Sequence, residues 1–344
     1  LLNQVSTVFG NLLSAETNDD MQELAKSIMP LLSEHGNNIT LNEKLFARIK
    51  AVYDQKDQAN LTPEQSKLLE KVYNSFVRSG ANLEGEAKEQ YRALSKELSL
   101  LTLQFGENNL KETNDYKLVL TDPAQLAGLP QSAIDAAAET AKEKGVEGWV
   151  FTLQAPSYSP FMTYASNRDL RCKLYMAYNT KCTHDNETNN LEIVKKLVNT
   201  RLAIAQLLGY SSFAEYNLQE RMAENSGNVY KLLDQLLDAY TPTAKQEYAE
   251  VEALARQLEG SDFTVMPWDW SYYSHKLKDQ KFQIDDEMLR PYFELSKVKE
   301  GVFGLATRLY GITFKKNSDI PVYHKDVDAY EVFDKDGKFL SVLY

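Results

Sequence analysis

Glu86-Ala87-Lys88-Glu89-Gln90-Tyr91-Arg92-Ala93-Leu94-Ser95-Lys96-Glu97-Leu98-Ser99-Leu100-Leu101-Thr102-Leu103-Gln104-Phe105 reads as one long helix. Tyr91, Leu94, Leu98, Leu101 and Phe105 are spaced 3, 4, 3 and 4 residues apart, the period of a coiled-coil seam. The pattern continues to Lys111 and makes this the longest expected element. Just upstream, Thr62-Pro63-Glu64-Gln65 combines an N-cap Thr, a Pro at the first helical position and a Gln three residues after the cap. That helix runs to Arg78 and closes at Ser79-Gly80. The short loop predicts an antiparallel helical hairpin over 62–111. A helix of another protein is the alternative partner for the seam.

Helical pattern also dominates on both sides. Met21, Leu24, Ala25, Ile28, Leu31 and Leu32 form a stripe over Asp19–Glu34, with Gly36 read as its end. Leu45, Ile49 and Val52 mark a helix over Leu41–Gln55. Asp122-Pro123 and Pro130 open two further elements, the second ending in the basic turn Lys142–Gly145. Arg168–Tyr178 and Leu191–Leu208 are helical, and Asn228–Leu258 holds one helix or two, with Thr241-Pro242 as the expected kink. Trp149–Leu153 reads as a strand pairing with Lys117–Leu120. The character changes near Gly311: Ile312–Lys315, Ala329–Phe333 and Phe339–Tyr344 read as strands, with a hairpin turn at Asp334–Lys338. The expected class is therefore mainly α, a multi-helical lobe over 1–310, with a small β-sheet or hairpin over 311–344 near the C-terminal end.

Composition excludes several function classes. The 344 residues carry a net charge of −11, which opposes nucleic-acid binding, since phosphates need a basic stripe. No apolar run approaches the roughly 20 residues that span a bilayer. No leader is visible, so a cytoplasmic site is expected; the chain opens at Leu1 without an initiator Met, which keeps the periplasm as the alternative. Cys172 and Cys182 read as free thiols. A catalytic cysteine needs a histidine and an orienting partner, and only His184 is near in sequence.

A catalytic zinc commonly takes two histidines one helical turn apart. His35, His184, His275 and His324 offer no such pair, and no His-Glu-x-x-His occurs. No nucleophile elbow, phosphate loop or dinucleotide fingerprint is present either. Asp334–Lys338 lacks the acidic positions and the final Glu of a calcium loop. Gly301-Val302-Phe303-Gly304 reads as helix packing. The most unusual composition is Pro267-Trp268-Asp269-Trp270-Ser271-Tyr272-Tyr273. Large rings with polar handles line ligand channels or interfaces, which makes Trp268, Trp270, Tyr272 and Tyr273 candidate channel-lining residues. The equal alternative is a buried aromatic anchor where a helix enters the core. Asp269 is the expected N-cap of that helix.

The chain resembles the thimet oligopeptidase family of zinc metallopeptidases, and within it the bacterial peptidyl-dipeptidase branch. The runs that carry the resemblance are Tyr216-Asn217-Leu218 with Arg221-Met222-Ala223, Pro267-Trp268-Asp269-Trp270 with Tyr272-Tyr273, and Leu289-Arg290-Pro291-Tyr292-Phe293. Gly301-Val302-Phe303, Leu309-Tyr310-Gly311-Ile312 and Ile320-Pro321-Val322-Tyr323-His324 through Tyr330-Glu331-Val332-Phe333 follow in family order.

The resemblance implies a zincin-type, two-lobed helical peptidase that releases C-terminal dipeptides from short peptides. It also implies a zinc ion that polarises the scissile carbonyl and activates water, with the motif's Glu as general base. In the family the zinc motif falls after the terminal hairpin, so no catalytic or metal-ligating residue carries over to this sequence. The chain is accordingly expected to be a piece of such a peptidase, without zinc and inactive alone, and to self-associate through its last hairpin. The alternative is a helical interaction or scaffold protein derived from the peptidase fold.

Overall fold

The computed structural model describes residues 1–344; 68% of them are helical, in 14 helices, beside two small antiparallel sheets. Two compact units form, residues 24–275 and residues 1–23 with 276–344, so the division does not coincide with the pattern change near Gly311. No helix is long and apolar enough to cross a membrane.

Helices α1 (Leu2–Ala15) and α2 (Asp19–Thr40) open the chain. The second does not stop at Gly36. Glycine in a helix is unfavourable by about 1 kcal/mol but compatible with helical backbone, and nothing here demands the left-handed conformation that ends helices. Asn42 caps α3 (Glu43–Asp54) by accepting the Leu45 amide at 2.9 Å. Thr62 and Gln65 form the expected reciprocal capping box on α4 (Pro63–Arg78). Phe46 of α3 stacks on Tyr73 and Phe76 of α4, and Tyr53 stacks on Tyr73 at 3.9 Å.

That aromatic ladder uses the apolar face of α4, so the seam of α5 (Gly85–Asp115) turns elsewhere. It packs on α9 (Leu191–Leu207), where Tyr91, Leu94 and Leu98 meet Ile204, Leu207 and Leu208. The expected pairing of α5 with α4 is thereby corrected. Asn190 seals the far end of the contact. Its side-chain amide donates to the Phe105 carbonyl at 3.1 Å and its carbonyl accepts from Asn108 at 2.9 Å.

The largest core lies between the two contacts of a small sheet and the helices around it. Strands β1 (Leu118–Leu120) and β2 (Trp149–Phe151) pair antiparallel, Leu118 opposite Phe151. Helices α6 (Gln131–Glu143), α7 (Ala155–Tyr164) and α8 (Arg168–Asn179) close over them. Leu118, Leu120, Phe151, Leu153, Phe161 and Leu174 are each at most 2% exposed and form one cluster. Gly148, which enters β2 at φ +97°, has no substitute: a Cβ there would lie 2.1 Å from the Leu120 carbonyl oxygen.

After the short α10 (Phe213–Leu218), α11 (Ser226–Glu259) runs 34 residues as a single helix and exceeds α5. Pro242 removes one backbone donor inside it; beside it, the Thr241 hydroxyl donates to the Leu237 carbonyl at 2.5 Å. Val251, Leu254 and Ala255 are buried, whereas Leu233, Leu237 and Tyr240, on the same stripe further up, are more than half exposed. Helix α12 (Trp270–Phe282) follows.

In the smaller unit, α13 (Asp286–Leu289) and α14 (Leu295–Tyr310) precede a sheet of β3 (Thr313–Lys316), β4 (Tyr330–Phe333) and β5 (Phe339–Leu343), with β4 central. Phe303 of α14 stacks on Phe314 at 4.2 Å and meets Tyr330 edge-on. Gly301 and Gly304 face open space, so they do not serve helix packing as expected. Asp334 Oδ1 accepts the Asp336 and Lys338 amides at 2.9 and 2.8 Å, and its carboxylate serves the hairpin turn. On the edge strand β5, Phe339 and Leu340 are about half exposed.

The core makes a direct prediction. Leu174→Ala, at a site with 0% exposure, lowers unfolding free energy by roughly 2–5 kcal/mol, and Leu68→Ala, at 63% exposure, by no more than about 0.5. Urea titrations followed by circular dichroism check both.

Candidate functional site

The segment Val265–Tyr273 is shaped by one buried carboxylate. Pro267 starts a single tight turn over Pro267–Asp269, and Trp270 begins α12. Asp269 is 0% exposed and is not the N-cap of α12. Its Oδ2 accepts the Met266 amide at 3.0 Å, reaching back across the turn. Arg168 Nη2 donates to Oδ2 at 2.7 Å, and Arg171 Nη2 donates to Oδ1 at 2.8 Å. Both arginines come from the first turn of α8. Neither is free to leave: Arg168 also holds the Thr264 carbonyl, and Arg171 holds the Ala165, Ser166 and Trp268 carbonyls. Arg171 is 1% exposed and lies 4.1 Å from the centre of the Tyr272 ring, while Arg168 covers Phe263.

Burial is the largest single influence on Asp269 and works against its charge. The hydrogen bonds from Arg168, the Met266 amide and Arg171 together outweigh it and hold the carboxyl below its ordinary range. Arg168, at the first helical position, explains why the arrangement is needed. The N-terminus of a helix is electropositive, so a cation there requires an anion close by.

The four aromatic candidates divide. Tyr272 and Tyr273 are buried, 8% and 2% exposed, and pack edge-on to each other. The Tyr273 hydroxyl donates to Glu259 Oε1 at 3.0 Å, and burial pushes its pKa up. Trp268 packs on the main core against Tyr175. Trp270 alone is substantially exposed, at 40%; it stacks on Tyr248 of α11 and borders a surface pocket of 420 Å³ with Val265, Met266 and Pro267.

Other reactive groups stand apart. His275 lies edge-on to Tyr164, His184 Nε2 is 3.5 Å from Glu112, and His324 Nδ1 is 3.7 Å from Asp326. No group of three or more His, Cys, Asp or Glu side chains comes together where it could hold a metal ion. Both cysteines are free thiols. Burial, reinforced by Glu112, pushes the Cys182 thiol up to about 11, the reverse of an activated nucleophile.

Residues 161–344, which include every member of the Asp269 cluster, match the model of peptidase family M3. The chain belongs to peptidase family M3. It is 35% identical over its whole length to dipeptidyl carboxypeptidase of Escherichia coli, covering 51% of that protein. It is 33% identical to oligopeptidase A of the same organism, again over the whole chain and 51% of the relative. A probable thimet oligopeptidase of Arabidopsis thaliana is 27% identical over 98% of the chain. The M3 chain thus spans about half the length of the curated relatives it matches.

Asp269→Asn should leave two guanidinium groups without their counterion and destabilise the M3 chain by roughly 3–5 kcal/mol. The pH dependence carries a sign. A carboxyl whose folded pKa is depressed contributes stability above its unfolded pKa, about 3.9, and loses it as pH falls through the folded value. The wild type should therefore lose stability more steeply than Asp269→Asn as pH drops below about 4. Denaturant midpoints measured from pH 7 to pH 2.5 test this.

Proposed function

We propose that this chain is the helical, non-catalytic part of a zinc-dependent peptidase that hydrolyses short peptides and releases C-terminal dipeptides. The observation that carries the reading is the likeness over the entire chain to dipeptidyl carboxypeptidase and oligopeptidase A, relatives about twice as long. In this reading zinc and the catalytic groups belong to the longer protein, and the chain by itself neither binds zinc stoichiometrically nor cleaves peptides. Residues 1–310 then act as a helical lobe and 311–344 as the first strands of the catalytic lobe. The compartment is the cytoplasm, with the periplasm as the alternative.

Within that protein, the part played by this chain is to position and to exclude water. Trp270, exposed and backed by Tyr248, supports a contact with peptide side chains. Trp268, Tyr272 and Tyr273 act one layer behind it, holding Trp270 on the rigid Asp269 turn. Substituting Trp270→Ala in the full-length protein raises KM for short peptides more than it lowers kcat, because the contact is made equally in ground and transition states.

The test compares this chain with the full-length protein on a panel of blocked pentapeptides, products read by mass spectrometry, with and without chelator. Chelator-sensitive dipeptide release by the full-length protein, and none by the chain alone, is the expected result. Release of single amino acids only, or cleavage by the chain itself, contradicts the reading.

Self-association of the chain through β5 belongs to the same proposal. Phe339–Tyr344 carries no charge, and its edge has free backbone groups and half-exposed apolar side chains. Light scattering should show concentration-dependent association that weakens in Leu340→Lys; a clean monomer at high concentration speaks against it.

A further inference from the structure

The smaller unit carries a second coiled-coil seam, and this one has no cover. On α14, Leu295, Val298, Val302, Leu305 and Leu309 are spaced 3, 4, 3 and 4 residues apart. The seam by which α5 meets α9 has the same period, which marks a face shaped for another helix. The five side chains are 39% to 79% exposed, and none of the 16 residues of α14 is buried. The sheet does not use this face. It engages α14 through Phe303, packed on Phe314 and Tyr330, and through Lys299, whose ammonium donates to Asp328 at 3.1 Å. At about 3.6 residues per turn, the seam lies roughly a quarter turn round the helix from those two side chains.

The flanks of the seam are a second, independent observation. With Leu295, Val302 and Leu309 at heptad position a and Val298 and Leu305 at d, the flanking g and e positions at its middle are Gly301 and Ala306. A Cβ built on Gly301 would meet nothing within 4 Å, and nothing in this chain uses that room. Small residues beside an apolar seam let a second backbone approach closely. The charged flanks are already committed: Lys299 to Asp328, and Glu294 to Lys297 at 3.8 Å. Length then selects the kind of partner. Residues 295–309 make two heptads, whereas free coiled coils are sustained over roughly three or four. A seam this short suits a helix held nearby by the same polypeptide, where effective concentration replaces length.

We propose that the seam of α14 docks an amphipathic helix supplied by the half of the longer protein that lies outside this chain, its apolar stripe set between the five seam residues and its backbone close to Gly301. That such a half exists rests on the reading above, in which the relatives are about twice as long; that a helix covers the seam rests on its spacing and flanks.

The experiment places single cysteines along α14 in the full-length protein and in this chain, and labels them with iodoacetamide. Mass spectrometry resolves each peptide, so Cys172 and Cys182 do not interfere. Val302→Cys and Lys297→Cys should label at similar rates in this chain, and position 302 at least about 10-fold more slowly than 297 in the full-length protein. Across the helix, protection should recur at 295, 298, 302, 305 and 309 and be absent at 297, 300 and 308. Val302→Asp should lower the urea midpoint of the full-length protein and leave that of this chain unchanged. Equal labelling of position 302 in the two proteins, protection without that period, or an unchanged full-length midpoint overturns the proposal. Protection in the isolated chain that grows with concentration assigns the seam to a second copy and overturns the proposed partner. If the periodic protection appears but the full-length protein releases no dipeptides, the peptidase reading fails and the docking seam stands.

Discussion

A carboxylate with no access to water holds this fold together. Asp269 is tolerable at 0% exposure only because two guanidinium groups and a backbone amide meet it. The pairing joins α8 to a turn about 100 residues later, so it is a long-range constraint rather than a local one. Each arginine is itself held by backbone carbonyls, and each lies over an aromatic ring. Replacing such a cluster with apolar groups of equal volume is often neutral in free energy. What the charges add is uniqueness. Only one register of the Val265–Tyr273 segment satisfies both carboxylate oxygens, and the orientation of Trp270 follows from it.

Local features were plain in the amino-acid order. The capping box at Thr62 and the Asp334–Lys338 turn arise from contacts within a few residues, and the β1–β2 pairing from two short apolar runs about 30 residues apart. Choices among distant partners were not. The seam of α5 states that a helix must cover it but not which one, and α9 supplies it because α4 is already occupied by α3. Helix α7 is hidden by Pro156 and Pro160, although a proline in the first turn is favourable there. Gly36 looked like a stop because glycine permits one; permission is not a requirement.

The site shows the same limit. The aromatic cluster at 268–273 stood out by composition, yet composition does not separate Trp270, half in solvent, from Tyr273, fully enclosed. The arginines at 168 and 171 carried a signal that was readable in principle. Two cations in the first turn of a helix oppose its dipole, and that opposition points to a buried anion. The family likeness was written in short runs spread along the chain, and the match over residues 161–344 agrees with them.

Helix α11 has one more consequence. At 1.5 Å per residue its 34 residues reach about 51 Å, and the buried side chains all lie in the last ten positions. It is a beam held at both ends, at the start by Ser226 donating to Glu215 of α10 and at the finish by its buried side chains, with an exposed middle. The Pro242 position, short of one backbone bond, is where such a beam is most compliant, and the neighbouring Thr241 hydroxyl bond to Leu237 stiffens it only in part. The clamp is Tyr248 on Trp270, with Val251, Leu254 and Ala255 below. A sideways push on the exposed middle is therefore delivered toward Trp270, the most exposed ring of the aromatic cluster.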